Sequence, residues 1–229
     1  ESEVQPSVAI SGKGNFTGKR EISFAVEEKK ITDVVVQKLG KYSYTGKEIQ
    51  PVVEVTTEDG VTLVADQDYV CVYNKNTNPG KAEIEIRGIG SYAGSKKLNF
   101  TIVKKAVTEE DIKITVTESE IYDGTAKKPK VVVTYSDMIL EQGKDYTVSY
   151  SSNKNASEKA VVTIKGKGNY SGQRKEYFTI APKTIESAEI MVEDGLYNKG
   201  KAVQPKVVVK DGKKTLKKNK DYKIEYSNN

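Results

Sequence analysis

The chain has 229 residues, of which 37 are Lys or Arg and 32 are Asp or Glu, with no His and one Cys. Without His, the commonest general base and metal ligand are missing, and a single Cys excludes an intrachain disulfide and a Cys-rich zinc site. The net charge of +5 is spread over interleaved charges of both signs, which predicts a solvated surface and no nucleic-acid partner. No apolar run approaches the ~18 residues of a membrane span, so we expect no membrane insertion.

Three short motifs recur along the chain at intervals of 75 to 78 residues. A glycine-rich motif, Gly-x-Gly-x-Tyr/Phe-x-Gly, occupies Gly12–Gly18, Gly88–Gly94 and Gly166–Gly172. Tyr-x-Gly followed by Pro occurs at Tyr44 with Pro51, Tyr122 with Pro129 and, with one extra residue, Tyr197 with Pro205. Asp-Tyr-x-x-x-Tyr occurs at Asp68–Tyr73, Asp145–Tyr150 and Asp221–Tyr226. A repeat of this length indicates an array of small domains.

Within one copy, short alternating apolar and polar runs follow one another, separated by turn residues. The predicted strands of the second whole copy cover 112–116, 130–135, 138–140, 145–150, 160–164 and 176–180. Tyr, Val, Ile and Thr are abundant in these runs, as in β-sheets, and no helical period appears. The sequence therefore predicts an all-β fold, a tandem array of small antiparallel β-sandwich domains in an extended arrangement.

Short charged or Pro-bearing joints separate the copies, at 27–30, 104–105 and 181–183. Such joints are typical of domain boundaries, and their shortness predicts limited hinge motion. On this phasing 31–105 and 106–183 are complete β-sandwich repeats, 1–30 is the back half of a repeat and 184–229 is a front half. Cutting at the Asn-rich loops instead divides the chain into 1–76, 77–154 and 155–229, and the sequence leaves both phasings open.

The first phasing leaves two half-domains that are too small to bury a core alone. It therefore predicts head-to-tail self-association, in which the front half of one molecule completes the back half of the next. Because the chain begins at Glu1, without Met or a signal sequence, we expect it to be a piece of a longer protein. Neighbouring repeats of that parent protein are then its nearest partners.

The motifs together carry a resemblance to a known kind of module. Tyr44-Thr-Gly-Lys-Glu-Ile-Gln-Pro51, Asp68–Tyr73, the glycine-rich motif and a closing Phe-Thr-Ile resemble the Ig-like tandem repeats of secreted and cell-wall proteins of Gram-positive anaerobic bacteria. The resemblance covers nearly the whole chain, since 184–229 matches the front half and 1–26 the back half of the pattern. It implies Ig-like domains, an extracellular or cell-surface location, and no shared catalytic residue.

From these observations we expect a non-enzymatic stalk or spacer of a bacterial surface or secreted protein, with no cofactor and with weak multivalent adhesion as an added property. The alternative from another class is a carbohydrate-binding module appended to a glycoside hydrolase. The two differ in the aromatic platform that a sugar-binding face requires.

The candidate residues for contact with surface glycans are the aromatic residues of the glycine-rich motif and of the Tyr-x-Gly segment: Phe16, Tyr42, Tyr44, Tyr92 and Tyr170. The rings of the glycine-rich motif are adjacent to glycines that bring them close to the backbone. Packing over their own turn is therefore the competing role for these rings. Their spacing does not match a dinucleotide-binding motif, because the chain continues as a strand rather than a helix.

Three further features have plain structural interpretations. Cys71 aligns with Val148 and Ile224 in the other copies, which predicts a small core residue. Asp68 recurs as Asp145 and Asp221, but its acidic neighbours do not, which predicts a turn cap rather than a calcium site. The lysine-rich stretch 210–223 aligns with an acidic stretch of the first whole copy. Edge-strand lysines that block aggregation explain it better than a shared polyanion site.

Overall fold

The computed structural model describes residues 5–117, 119–196 and 199–227, so the predicted marker residue Tyr197 lies outside the described part. The described residues form an all-β structure without an α-helix, and their single helical turn is the 3-10 turn Ile31–Asp33. No helix of this part of the chain is long and apolar enough to cross a membrane. The prediction of an all-β fold is confirmed, and several small sheets indicate several small β domains.

Residues 5–106 contain eleven strands. In chain order they are β1 (Ser7–Ser11), β2 (Lys19–Ser23), β3 (Lys29–Lys30), β4 (Val35–Val36), β5 (Lys41–Ser43), β6 (Val55–Thr56), β7 (Tyr69–Asn74), β8 (Gly80–Gly88), β9 (Tyr92–Ala93), β10 (Ser95–Val103) and β11 (Lys105–Ala106). A four-stranded sheet has the order β5-β10-β8-β7, while β1-β2, β3-β9 and β4-β6 form two-stranded sheets.

The next copy repeats this arrangement. Its strands are β12 (Ile112–Val116), β13 (Glu120–Ile121), β14 (Val131–Tyr135), β15 (Met138–Ile139), β16 (Tyr146–Ser151), β17 (Ser157–Gly166), β18 (Tyr170–Ser171) and β19 (Gln173–Ala181). The order β13-β19-β17-β16 matches β5-β10-β8-β7, and β12-β14-β15 forms a second sheet. All six strands predicted for this copy are present, with ends shifted by up to three residues.

In the described residues of 184–227, the strands are those that correspond to the front half of a repeat. These are β20 (Glu189–Val192), β21 (Val207–Asp211) and β22 (Lys214–Thr215), in the order β20-β21-β22. They correspond to β12, β14 and β15 of the preceding copy. The segment 223–227, which aligns with most of β7, is in no strand.

The expectation of purely antiparallel sheets is wrong in one respect. β5 pairs in parallel with the end of β10, with Tyr42 opposite Ile102, and β13 pairs in parallel with β19. Parallel neighbours need a long connection, and the intervening strands of the copy supply it. Early and late segments of one repeat thus lie side by side.

By its contacts the chain divides into two compact units. One comprises 1–112 with 140–147 and 165–174, and the other comprises 113–139 with 148–164 and 175–229. Within the first unit a single cluster of buried side chains gathers every second residue of β8 with the ends of β10 and β6. Its members are Ile31, Val34, Val53, Val55, Leu63, Tyr69, Ala82, Ile84, Ile86, Tyr92, Phe100 and Ile102.

The aligned positions of the next copy are buried as well: Val131, Val133, Leu140, Tyr146, Ala160, Val162, Ile164, Tyr170, Phe178 and Ile180. The inward-facing side chains of each copy therefore follow the repeat, because side chains of a strand alternate between its two faces. The same apolar pattern builds each core.

Candidate functional site

The glycine-rich turn has the same geometry in its copies. In the copy at 166–172, Gly168 and Gly172 have positive φ angles of 61° and 76°. A Cβ at Gly166 would lie 2.5 Å from the backbone nitrogen of Ser171, so the first glycine is required for close approach of two chain segments. The Gly166 N–H donates to the Gly172 carbonyl at 3.0 Å and closes the turn. The interpretation as a tight turn is confirmed.

The recurring aspartate caps a turn in all three copies. Asp68 Oδ2 accepts a hydrogen bond from the Val64 N–H at 2.8 Å. The aligned Asp145 and Asp221 accept from the N–H groups four residues before them, at 2.9 and 2.8 Å. A carboxylate that accepts from the backbone stabilises the turn before the following segment. The described residues contain no group of three or more Cys, Asp or Glu side chains arranged to bind a metal ion.

The second tyrosine of the Asp-Tyr-x-x-x-Tyr motif is tied to the proline marker. The hydroxyls of Tyr73, Tyr150 and Tyr226 donate to the carbonyls of Pro51, Pro129 and Pro205 at 2.7, 2.6 and 2.8 Å. Two motifs that are about twenty residues apart in sequence are therefore the two ends of one hydrogen bond. Sequence reasoning missed this pairing, although the joint recurrence of both motifs was a signal for it.

The joint after the first whole copy is built by main-chain pairing. β11 (Lys105–Ala106) pairs in parallel with β18 (Tyr170–Ser171), which lies in the next glycine-rich turn. The Lys105 N–H donates to the Asn169 carbonyl at 3.1 Å, and the Val107 N–H donates to the Ser171 carbonyl at 2.9 Å. Asn169 Nδ2 donates to Asn78 Oδ1 at 3.2 Å. This joint is therefore fixed by backbone as well as side-chain contacts.

The preceding joint has the same architecture. β3 (Lys29–Lys30) pairs in parallel with β9 (Tyr92–Ala93), and Lys29 Nζ lies 5.8 Å from the centroid of the Tyr92 ring. The Lys29 N–H donates to the Ser91 carbonyl at 2.9 Å. In both joints the segment that leaves one copy is paired with the glycine-rich turn of the next.

The five candidate glycan-contact residues fall into three environments. Tyr92 and Tyr170 are buried, and Tyr44 stacks edge-on against Tyr170 with ring centroids 5.7 Å apart. Tyr42 is half-buried and stacks edge-on against Phe100 at 5.4 Å. Phe16 is 78% exposed. The structure thus brings Tyr44 and Tyr170 together across a joint. The covering of the Tyr170 ring by a residue of the preceding copy was not predicted from the sequence.

A buried lysine lies at the centre of this joint. The Lys105 side chain is 6% exposed, and Nζ lies 2.7 Å from Glu109 Oε2 and 2.6 Å from Asp111 Oδ2. The hydrogen bond from Lys105 lowers the pKa of Glu109 below its usual value. Burial of a charged amine is tolerated because two carboxylates face it.

The joint after the second complete copy, around residues 182–188, contains an open cleft of about 500 Å³. Its lining includes Tyr122, Asn155, Lys183–Thr184 and Ile185, which align with Tyr44, Asn78, Lys105–Ala106 and Val107. Lys214 Nζ lies 5.5 Å from the centroid of the Tyr122 ring and donates to its hydroxyl at 3.1 Å, which raises the pKa of Lys214.

Cys71 packs against the apolar core of the first unit, as its alignment with Val148 and Ile224 predicts. Burial raises the pKa of its thiol, so the nucleophilic thiolate is disfavoured. Burial also raises the pKa of the neighbouring Tyr73 to about 12. Both groups are therefore neutral under ordinary conditions and serve packing.

Comparisons of the chain with protein-family models, with curated proteins and with solved structures found no match.

Proposed function

We propose that this chain is a non-catalytic structural spacer, a tandem array of small Ig-like β-sandwich domains in a bacterial surface or secreted protein. The observation that carries the proposal is the joint, in which β11 pairs with β18 and Tyr44 stacks on Tyr170. A flexible linker makes no such contacts, whereas a spacer that holds its ends apart needs resistance to bending at every joint. The second joint with the same pairing supports the same role.

The polar groups shared by the copies also support a structural role. The repeated aspartates bind backbone N–H groups, and the repeated tyrosine hydroxyls bind proline carbonyls. These polar groups are already engaged in hydrogen bonds that hold turns and strands together. An enzyme would instead present titratable groups that converge on a cleft.

The carbohydrate-binding alternative requires an exposed aromatic platform on the face of each domain. In the described part of the chain, the strongly exposed aromatic side chains are Phe16, Phe24 and Tyr177. Phe16 and Phe24 belong to the first, incomplete copy, and only Tyr177 lies in a complete one. We therefore propose that adhesion to carbohydrates is secondary to the role as a spacer.

The spacer role is tested by the stiffness of the joint between Lys105 and Tyr170. Spin labels are placed at Val52→Cys and Lys144→Cys, two exposed positions on either side of that joint in the first compact unit, in a Cys71→Val background. We expect a narrow distribution of label distances by pulsed electron resonance. Tyr44→Ala should broaden it, whereas Tyr177→Ala, which removes an exposed ring, should not.

A broad distribution in the unsubstituted joint would contradict the spacer. Retardation of the chain in polysaccharide-containing gels that is abolished by Tyr42→Ala or Tyr44→Ala would instead favour the carbohydrate-binding module.

A further inference from the structure

The segment 210–223 of the last copy carries a concentrated positive charge. It contains seven lysines and two aspartates. The aligned segment 134–147 contains one lysine and three acidic residues, and the aligned segment 57–70 contains no lysine and four acidic residues. The positive charge is therefore specific to the last copy and is not a property of the repeat.

The turn at 217–221 keeps its backbone fold whichever charges it carries. Its final aspartate caps it, as the aligned aspartates do in the complete copies. In the copy 106–183, Glu141 and Lys144 on this turn form an ion pair at 3.5 Å. The aligned residues are Lys217 and Lys220, so two positive charges stand in place of a pair of opposite charges. The turn therefore folds without these lysines.

The charge of the segment is not neutralised within the described part of the chain. Asp211 pairs with Lys183 at 2.6 Å, and Asp221 accepts a hydrogen bond from the backbone. Lys214 donates to the Tyr122 hydroxyl. The other six lysines make no ion pair and no side-chain hydrogen bond with a described residue: Lys210, Lys213, Lys217, Lys218, Lys220 and Lys223.

The exposure of these lysines belongs to the turn and to the hairpin before it. Four of the lysines are exposed, and so are the four residues aligned with them in 106–183: Lys213, Lys217, Lys218 and Lys220, with Asp137, Glu141, Gln142 and Lys144. In 106–183 the back half of the repeat is in place, and it leaves these positions in solvent. The exposure therefore does not depend on whether a back half follows.

Protection of a sheet edge accounts for only part of the lysines. β22 is the edge strand of the sheet β20-β21-β22, and it contains Lys214. Lys217 and Lys220 follow the end of β22 and lie in no strand. Lysines on a turn cover no row of unpaired strand N–H and C=O groups, so protection of the edge does not explain them.

We propose that Lys213, Lys217, Lys218 and Lys220, the lysine surface, bind a linear polymer of phosphate groups. A polymer with closely spaced charges carries condensed counterions, and their release on contact with several ammonium groups favours binding. Lysine offers a flexible point charge that suits phosphate oxygens. This interaction goes beyond the spacer role and does not depend on it.

The composition of the last copy favours such a polymer over a nucleic acid. Residues 184–229 contain no arginine, the residue that recognises phosphates and base edges with two parallel hydrogen bonds. Among the described residues of this segment no aromatic ring is strongly exposed, so no platform is available for stacking of bases. The lysine surface therefore supplies charge without base recognition.

The test measures binding of the full chain to long-chain inorganic polyphosphate at several salt concentrations. With four lysines engaged, the logarithm of the association constant should fall with the logarithm of the salt concentration with a slope of about −3. The triple variant Lys217→Gln, Lys218→Gln, Lys220→Gln should bind about tenfold or more weakly, with a slope of about −1. Its circular dichroism should be unchanged, because these side chains are exposed and make no bonds with described residues.

A matched variant separates the lysine surface from net charge. Lys154→Gln, Lys159→Gln, Lys165→Gln removes the same charge from exposed positions of the copy 106–183 and should leave the affinity nearly unchanged. Equal losses in the two triple variants would show that net charge alone governs binding, and would overturn the proposal.

A gain of binding tests the same idea without loss of a native residue of the lysine surface. Asp137→Lys with Glu141→Lys places three lysines on the aligned turn of 106–183, together with Lys144. This variant should bind polyphosphate at two sites per chain, whereas an unchanged stoichiometry would contradict the assignment to this turn.

Two further probes identify the kind of polymer. Polyglutamate and single-stranded DNA of the same total charge should each bind more weakly than polyphosphate. Polyglutamate that bound as tightly would replace the phosphate polymer with an acidic protein segment. DNA that bound more tightly would make a nucleic acid the partner. Either result, or no binding of polyphosphate at low salt, overturns the proposal.

Discussion

The tyrosine hydroxyl that meets a proline carbonyl is the most regular single-residue feature of this protein. Tyr73, Tyr150 and Tyr226 make the same bond in three copies, including the copy that lacks its back half. The bond joins the strand-starting motif to the segment before β6 or its equivalents. Its presence in an incomplete copy shows that it belongs to the front half alone.

We expect Tyr73→Phe to lower the free energy of unfolding by about 1 kcal/mol, because the Pro51 carbonyl loses its donor while the ring remains in place. Chemical denaturation monitored by circular dichroism measures the change. Tyr177→Phe, at an exposed ring, is the matched control and should change the stability little. If the two substitutions lowered the stability equally, the loss in Tyr73→Phe could not be attributed to its hydrogen bond with Pro51.

Alkaline pH tests the same residue from another direction. Burial raises the pKa of Tyr73 from 10.0 to about 12. Between these values the unfolded chain has lost the phenolic proton and the folded chain retains it, so stability falls as pH rises through this window. Denaturation midpoints on both sides of pH 10 should show this fall, and Tyr73→Phe should make it shallower. If Tyr73→Phe left the fall in stability with pH unchanged, the fall could not be assigned to the ionisation of Tyr73.

At the scale of the element, the glycine-rich turn depends on one close approach. A Cβ at Gly88 would lie 2.9 Å from the Ala93 nitrogen, whereas a Cβ at Gly40 would meet nothing within 4 Å. We expect Gly88→Ala to destabilise the fold by about 1 to 3 kcal/mol, and Gly40→Ala to leave it unchanged or slightly stabilise it. Thermal unfolding compares them. If Gly88→Ala were as stable as the wild type, the turn would be able to open without loss of stability.

The strand β11 depends on the ion pairs of Lys105. Lys105→Ala should cost about 1 to 3 kcal/mol, less than the loss of a fully buried pair because Glu109 and Asp111 are partly exposed. The exposed neighbour Lys104→Ala is the control. Since the pKa of Glu109 is lowered in the fold, its contribution is present above pH 4.5 and is lost as acid protonates it. Denaturation experiments at neutral and acidic pH measure this loss. The difference in the free energy of unfolding between Lys105→Ala and the wild type should be smaller at acidic pH.

At the scale of the whole molecule, complete and incomplete copies of one pattern coexist in a single chain. Amides of β7 pair with β8, whereas the aligned 223–227 have no such partner. Hydrogen–deuterium exchange at low concentration should find β7 protected and 223–227 unprotected. Equal protection of the two segments would contradict this expectation.

Much of the fold follows from local sequence signals. The alternation of residues in 112–116 and 160–164 predicts strands, and the glycines of 166–172 predict a turn, because both depend on the chain's own periodicity and φ angles. The parallel pairing of β5 with β10 was not predicted. Which strand becomes a neighbour depends on packing between distant segments, and alternation is the same for parallel and antiparallel partners.

The candidate site divides in the same way. The sequence singled out Tyr44 and Tyr170 as recurring aromatics, and Asp68 as a turn cap, from their positions in the repeat alone. It could not tell that Tyr44 covers Tyr170, because this contact joins two different copies. The carboxylates that face Lys105 are only four and six residues away, but the burial of Lys105 depends on the surrounding fold and was not predicted.

The sequence by itself determined the repeat, the strand-forming runs, the turn glycines and the packing role of Cys71, because these are properties of short stretches and of their alignment. Only the tertiary structure decided which surfaces meet: β11 with the glycine-rich turn, and the tyrosine hydroxyl with the proline carbonyl. The physical reason is that burial is a property of pairs of segments. Ile10 and Ile86 carry the same pattern, and one is exposed and the other buried because only one has its partner in place.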